Sequence, residues 1–176
     1  MLRRMLAQIA LGIGLMAAFL VWPTLTPAAD NLRKTAPNFT LSDSNGASVR
    51  LADYKGSVVL LDFWATWCHG CKTEIPWYME FQNKYKDKGL SVIGVSMDED
   101  GWKSVKPFLE EKKMNYTVVI GNEDLARLYA VDALPVTLLI DRDGKIADSH
   151  PGMVDKDAFE NEIRALLQER AKNAAK

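Results

Sequence analysis

Ser57 to Ala65 reads S-V-V-L-L-D-F-W-A, a run of apolar and aromatic residues with one acid, Asp62, in its middle. So short and so apolar a segment suits a central strand buried on both faces, and such strands belong to sheets covered by helices. The rest of the chain supplies that cover. Lys72 to Lys88 is helical in character, with Ile75, Tyr78, Met79 and Phe81 spaced for one buried stripe and Lys88-Gly89 as its stop. Leu90 to Val95 is the next strand. Trp102 to Lys113 places Trp102, Val105 and Leu109 on one helical face, and Pro107 within it predicts a kink or a late start. Tyr116 to Ile120 reads as a strand, Asn122 to Tyr129 as a short helix, and Val136 to Ile140 as a strand turned by Asp141-Arg142-Asp143-Gly144 into Lys145 to Ser149. Phe159, Ile163, Leu166 and Leu167 mark a last amphipathic helix, fraying at Ala171-Lys172-Asn173. Ahead of all these, Asn38 to Leu41 and Ala47 to Leu51 flank an Asn-Gly step, the signal of a small hairpin. Strands alternating with helices make the fold class α/β, with a mixed central sheet.

At 176 residues the chain exceeds what this pattern uses, and the excess is N-terminal. Arg3 and Arg4 precede an uncharged stretch, Met5 to Leu25, in which Gln8 is the only strongly polar residue, followed by Pro23, Pro27, Ala28 and Ala29. A basic start, an apolar centre and a small-residue exit are the parts of an export signal, with Thr26-Pro27-Ala28 as the cleavage candidate. Leu6 to Leu25 is also long enough to cross a hydrocarbon core of ~30 Å, so residues 1–28 read equally as a retained membrane anchor. Residues 29–36 read as a connector, 37–170 as the folded domain and 171–176 as a frayed tail. Either reading of the N-terminus delivers the domain across a membrane, into a compartment where disulfides persist. Without residues 1–28 the chain carries 20 basic and 23 acidic side chains, which speaks against nucleic acid as a partner. A monomer is expected.

Chemistry concentrates where the buried strand gives way to the helix, in Trp64-Ala65-Thr66-Trp67-Cys68-His69-Gly70-Cys71, which holds both cysteines of the chain. A thiolate there meets the unpaired N–H groups and positive end of the helix, so Cys68 should have a depressed pKa and act as the nucleophile. Cys71, one turn on, can close a disulfide with Cys68 or displace a partner from it, and is read as the resolving thiol. A CxxC also serves as half of a zinc site, but the other ligands would have to be histidines, and one of the two, His69, lies inside the loop. No metal and no cofactor is expected. Asp62, alone in an apolar strand, should have a raised pKa and suits a base for Cys71. Glu74 faces either the same thiol or solvent. Pro135, in Ala133-Leu134-Pro135-Val136-Thr137, is either a plain strand-entry proline or part of a loop with a cis bond that would expose peptide groups to an extended partner chain. Trp64, Trp67 and Pro76 frame the site, Trp64 chiefly as packing.

The sequence W-A-T-W-C-H-G-C-K-T-E-I-P, the later L-P-V-T-L-L-I-D-R-D-G and the export segment together resemble the thioredoxin-fold envelope proteins of the TlpA/ResA type, which are thiol-disulfide oxidoreductases. The resemblance spans roughly residues 37–167. It implies a thioredoxin-like fold with an N-terminal β-hairpin, an inserted helix at Trp102 to Lys113 and a cis peptide before Pro135. Cys68 and Cys71 carry over as the redox disulfide, with Trp67, His69, Leu134 and Pro135 as substrate contacts. Glu74 matches the active-site glutamate of the ResA-like subgroup, and Asp62 the buried aspartate of thioredoxins. Carrying both acids departs from the pattern, as does His69-Gly70 in place of a pair ending in proline. The implied partners are disulfide-containing client proteins, among them apocytochrome c and copper-site assembly factors, and a membrane thiol electron donor. Two other functions share such a scaffold. A peroxidase of the peroxiredoxin type would have a proline and a threonine before a lone cysteine, and Ala65-Thr66-Trp67-Cys68 lacks that proline. A copper- or haem-delivery module would need ligands beyond the cysteine pair.

Overall fold

The computed structural model describes residues 33–173. The expected signal or anchor over 1–28 lies outside them. Among the described residues, no helix is long and apolar enough to cross a membrane.

The Asn-Gly step turns β1 (Thr40–Ser42) into β2 (Ser48–Arg50), an antiparallel pair separate from the main sheet and bridged to it between Asp43 and Val119. β3 (Val58–Trp64) is buried along its whole length. It runs parallel to β4 (Leu90–Ser96), which runs parallel to β5 (Thr117–Ile120); on the other side β3 pairs antiparallel with β6 (Val136–Ile140), and β6 with β7 (Ile146–Pro151). The five-stranded order is β5-β4-β3-β6-β7, the mixed sheet expected from the alternation of elements.

Four helices cover this sheet: α1 (His69–Tyr85), α2 (Trp102–Lys112), α3 (Glu123–Leu128) and α4 (Lys156–Asn173). Alternation along β3 decides which face each helix meets. Val58 and Leu60 pack with Tyr78, Phe81 and Tyr85 of α1 and with Phe159, Ile163 and Leu166 of α4. Trp64, on the same face, packs with Val105 and Phe108 of α2. Val59, Leu61 and Phe63 point the other way, to Leu125 of α3, Tyr129, and Val49 of the hairpin.

Four features differ from expectation by more than a residue or two. α1 starts at His69 rather than Lys72, because the Cys68 sulfur caps it by accepting the Cys71 N–H at 3.2 Å, and cysteine is not a residue type that advertises a cap. α2 is unbroken across Pro107. That proline is exposed, so the carbonyl left without its partner can turn to water. Residues 33–36, expected in a connector, belong to the fold: the Ala36 N–H donates to the Gly144 carbonyl at 2.9 Å, and the Ile146 N–H to the Lys34 carbonyl at 2.8 Å. They satisfy peptide groups at the outer edge of the sheet, where a strand would otherwise be unpaired. At the other end α4 continues to Asn173, past the expected domain limit at 170.

The strand directions give the molecule two poles. Segments 65–68, 97–101, 129–135 and 152–155 meet at the pole where β3 and β4 end. Segments 33–36, 55–57, 86–89, 113–116 and 141–145 lie at the opposite pole.

Candidate active site

Cys68 and Cys71 form a disulfide, with Cα atoms 5.4 Å apart, at the junction of β3 and α1. Both are buried, Cys68 at 6% exposure and Cys71 at 1%, so the outer sulfur belongs to Cys68. The Cys71 N–H aimed at the Cys68 sulfur is one of the unpaired donors at a helix start, and it would stabilise a thiolate there once the disulfide opens.

The loop leading into the pair is held by a residue that the sequence pattern does not single out. Asp98, only 5% exposed, accepts the Thr66 N–H at 3.0 Å and the Thr66 hydroxyl, and it also accepts the Ser96 hydroxyl at 2.8 Å. Its position just after an apolar strand was the only signal available in the sequence.

Around the disulfide the structure brings together most of the expected contacts. The Leu134–Pro135 peptide is cis. Leu134 packs in the cluster that contains both cysteines. Trp67 is 67% exposed beside the pair, and His69 is an exposed first residue of α1. Trp64 is fully buried, its ring 5.2 Å from that of Phe108, which makes it packing. Pro76 instead lines a groove between α1 and α2 with Met79 and Phe108. Met153, unremarked in the sequence, is 55% exposed and crosses over Gly70: a Cβ on Gly70 would lie 3.1 Å from the Met153 side chain and 3.4 Å from Pro135. A side chain at position 70 would therefore have to displace the Met153 side chain by a few tenths of an ångström.

Both acids are buried. Asp62 is 1% exposed, and neither carboxyl oxygen has a hydrogen-bond partner among the described residues. Thr137, its neighbour in register on β6, shares its hydroxyl with the Tyr78 phenol at 2.8 Å. On β4 its neighbour is Gly94, where a Cβ would come within 2.8 Å of the Trp64 indole nitrogen and 3.2 Å of the Tyr116 ring. Burial pushes the Asp62 carboxyl well above its ordinary range, and the nearby Glu74 pushes it further. Glu74 does not face solvent: it is 0% exposed, and one oxygen accepts the Val154 N–H at 2.7 Å. Burial raises its pKa too, against the lowering effect of that hydrogen bond. Two buried carboxyls with raised pKa values thus stand on β3 and α1, the two elements that meet at the disulfide.

A CxxC disulfide capping a helix at the end of a buried strand, with a buried carboxyl on each of the two elements, defines a thiol-disulfide oxidoreductase. A family model described as AhpC/TSA matches residues 32–149. The thiol-disulfide oxidoreductase ResA of Bacillus thuringiensis is 36% identical over 134 residues, covering 76% of this chain and 77% of that protein. Among solved structures, a Chlorobium tepidum protein assigned as thiol:disulfide interchange protein DsbE superposes with a TM-score of 0.73 at 40% identity, covering 77% of this chain and 96% of that one. The pneumococcal exposed lipoprotein thioredoxin of Streptococcus pneumoniae gives a TM-score of 0.66 at 29% identity, covering 74% of this chain and all of that one. The fold is thioredoxin-like, and the chain belongs to the AhpC/TSA family, with ResA-type thiol-disulfide oxidoreductases as its relatives. Disulfide-containing substrates follow from that membership.

Proposed function

We propose that the protein reduces disulfides of client proteins on the extracytoplasmic side of a bacterial membrane. The observation that carries the attacking role of Cys68 is the Cys71 N–H directed at its sulfur, which makes Cys68 the thiol best placed to ionise; the reductive direction is taken from the ResA-type relatives. In the reduced protein the Cys68 thiolate attacks a client disulfide, forming a mixed disulfide and releasing one client thiolate. The Cys71 thiolate then attacks the Cys68 sulfur, restores the Cys68–Cys71 bond and releases the second client thiolate. Asp62 or Glu74, in its carboxylate form, takes the proton that Cys71 gives up. Trp67, His69, Leu134 and Pro135 contact the client chain on either side of its cysteine.

Each turnover leaves the pair oxidised, so two electrons must return from a membrane thiol donor. The envelope location rests on the export segment and is supported by the likeness to the pneumococcal protein, which is an exposed lipoprotein. Clients in cytochrome c or copper-site assembly are those that the resemblance to the TlpA/ResA type implies. The test is the midpoint potential of the pair, measured by equilibration with a dithiol buffer. A value near ~−270 mV is expected for a reductant, and one near ~−120 mV would mark an oxidant and overturn the direction proposed.

A further inference from the structure

The two poles of the domain differ in charge. At the disulfide pole the loops 65–68, 97–101, 129–135 and 152–155 contain no lysine or arginine, and Glu99, Asp100, Asp132 and Asp155 are exposed there. At the opposite pole Lys34, Lys55, Lys86, Lys88 and Lys113 are exposed on four separate segments. The acids among them are Asp87, Asp141 and Asp143, with Glu169 of α4 beside them, and Asp141 and Glu169 are both paired with Arg33, at 3.1 and 3.0 Å. Five strands at a spacing of ~4.8 Å make this basic face roughly 20 Å across, broad enough to lie flat on a surface. Charge divided in this way orients a protein in the field of a charged surface.

The position of the N-terminus gives that surface an identity. The described chain begins at Arg33 on this same basic pole, held by Asp141 and by Glu169 of α4 at 3.0 Å. Residues 1–32, with their long apolar stretch, therefore join the domain at the pole away from the disulfide.

We propose that the basic pole docks on anionic phospholipid headgroups, so that the Cys68–Cys71 disulfide points away from the bilayer. The orientation rests on the envelope location proposed above. The lipid contact rests on the charge distribution, with the N-terminal attachment giving the choice of a membrane as the surface. Lysines close to an anionic leaflet are attracted within about a Debye length, ~8 Å at physiological salt, and salt weakens the contact. A client would then approach from the compartment, and the membrane donor would have to reach the outward pole through a domain or loop of its own.

The test uses the full chain, mixed with nanodiscs of phosphatidylcholine alone or of phosphatidylcholine with phosphatidylglycerol, followed by lysine acylation and mass spectrometry. On anionic discs Lys55, Lys86, Lys88 and Lys113 should be acylated about three-fold or more slowly than on neutral discs, with the difference lost at high salt. Lys72 and Lys103, at the starts of α1 and α2, should not change. A Lys55→Glu, Lys86→Glu, Lys88→Glu variant should lose the protection at Lys113 while keeping disulfide exchange activity. Retention on both kinds of disc with equal acylation overturns the lipid contact and leaves the anchor standing. Retention with protection on anionic discs alone supports the contact and removes the anchor. Retention on neither overturns both.

Discussion

Asp62 sets a carboxyl in the middle of the sheet with no hydrogen bond to either oxygen, which is costly for a charge and tolerable for a neutral acid. Its raised pKa has a consequence for stability. Between the ordinary carboxyl pKa and the raised value the folded state holds a proton that the unfolded chain has lost, so stability falls as pH rises through that window. Glu74, also raised, adds to the same slope. Asp62→Asn should therefore unfold at higher urea than the parent at pH 8, by on the order of 2 kcal/mol, and the two should converge below about pH 4. A variant no more stable at pH 8 would mean that the ionised Asp62 is satisfied. The same substitution should slow resolution of a mixed disulfide by Cys71. Asp62 and the cysteine pair were legible in the sequence because an acid in an apolar strand and a CxxC at a strand-helix junction are anomalies with a chemical reason. Asp98 and Met153 were not legible, because an acid in an acidic loop and a methionine after a glycine look ordinary until tertiary contacts give them partners.

At the scale of elements, α1 and α4 are joined to the sheet through Tyr78, Phe81 and Phe159, whose ring centroids lie 6.0 to 6.5 Å apart. Ion pairs between the two helices, Lys84 with Glu160 and Lys156 with Glu80, are largely exposed and add little. Phe159→Ala should cost about 3–5 kcal/mol in equilibrium unfolding, whereas Glu80→Ala should change stability by less than about 1 kcal/mol. Equal effects would mean that charge rather than ring packing fastens α4. Periodicity located both helices from sequence, since their buried residues recur at helical spacing. It missed the first turn of α1, where a sulfur performs the capping, and the docking of residues 33–36, which depends on backbone groups that carry no side-chain signal.

For the whole molecule, topology places the disulfide at one pole and the N-terminal attachment at the other, and only the assembled sheet reveals that separation. The mixed sheet and its helices followed from the alternation of patterns. The division of charge did not, because lysines far apart in sequence converge only when strand directions are known. The central claim is that Cys68 attacks and Cys71 resolves, and trapping tests it most directly. Reduced Cys71→Ser protein, incubated with a disulfide-containing protein such as insulin, should accumulate a mixed disulfide through Cys68 that dithiothreitol releases. Reduced Cys68→Ser protein should trap none and lose turnover. Adduct formation through Cys71 in the Cys68→Ser variant, or undiminished turnover by either variant, would contradict the account.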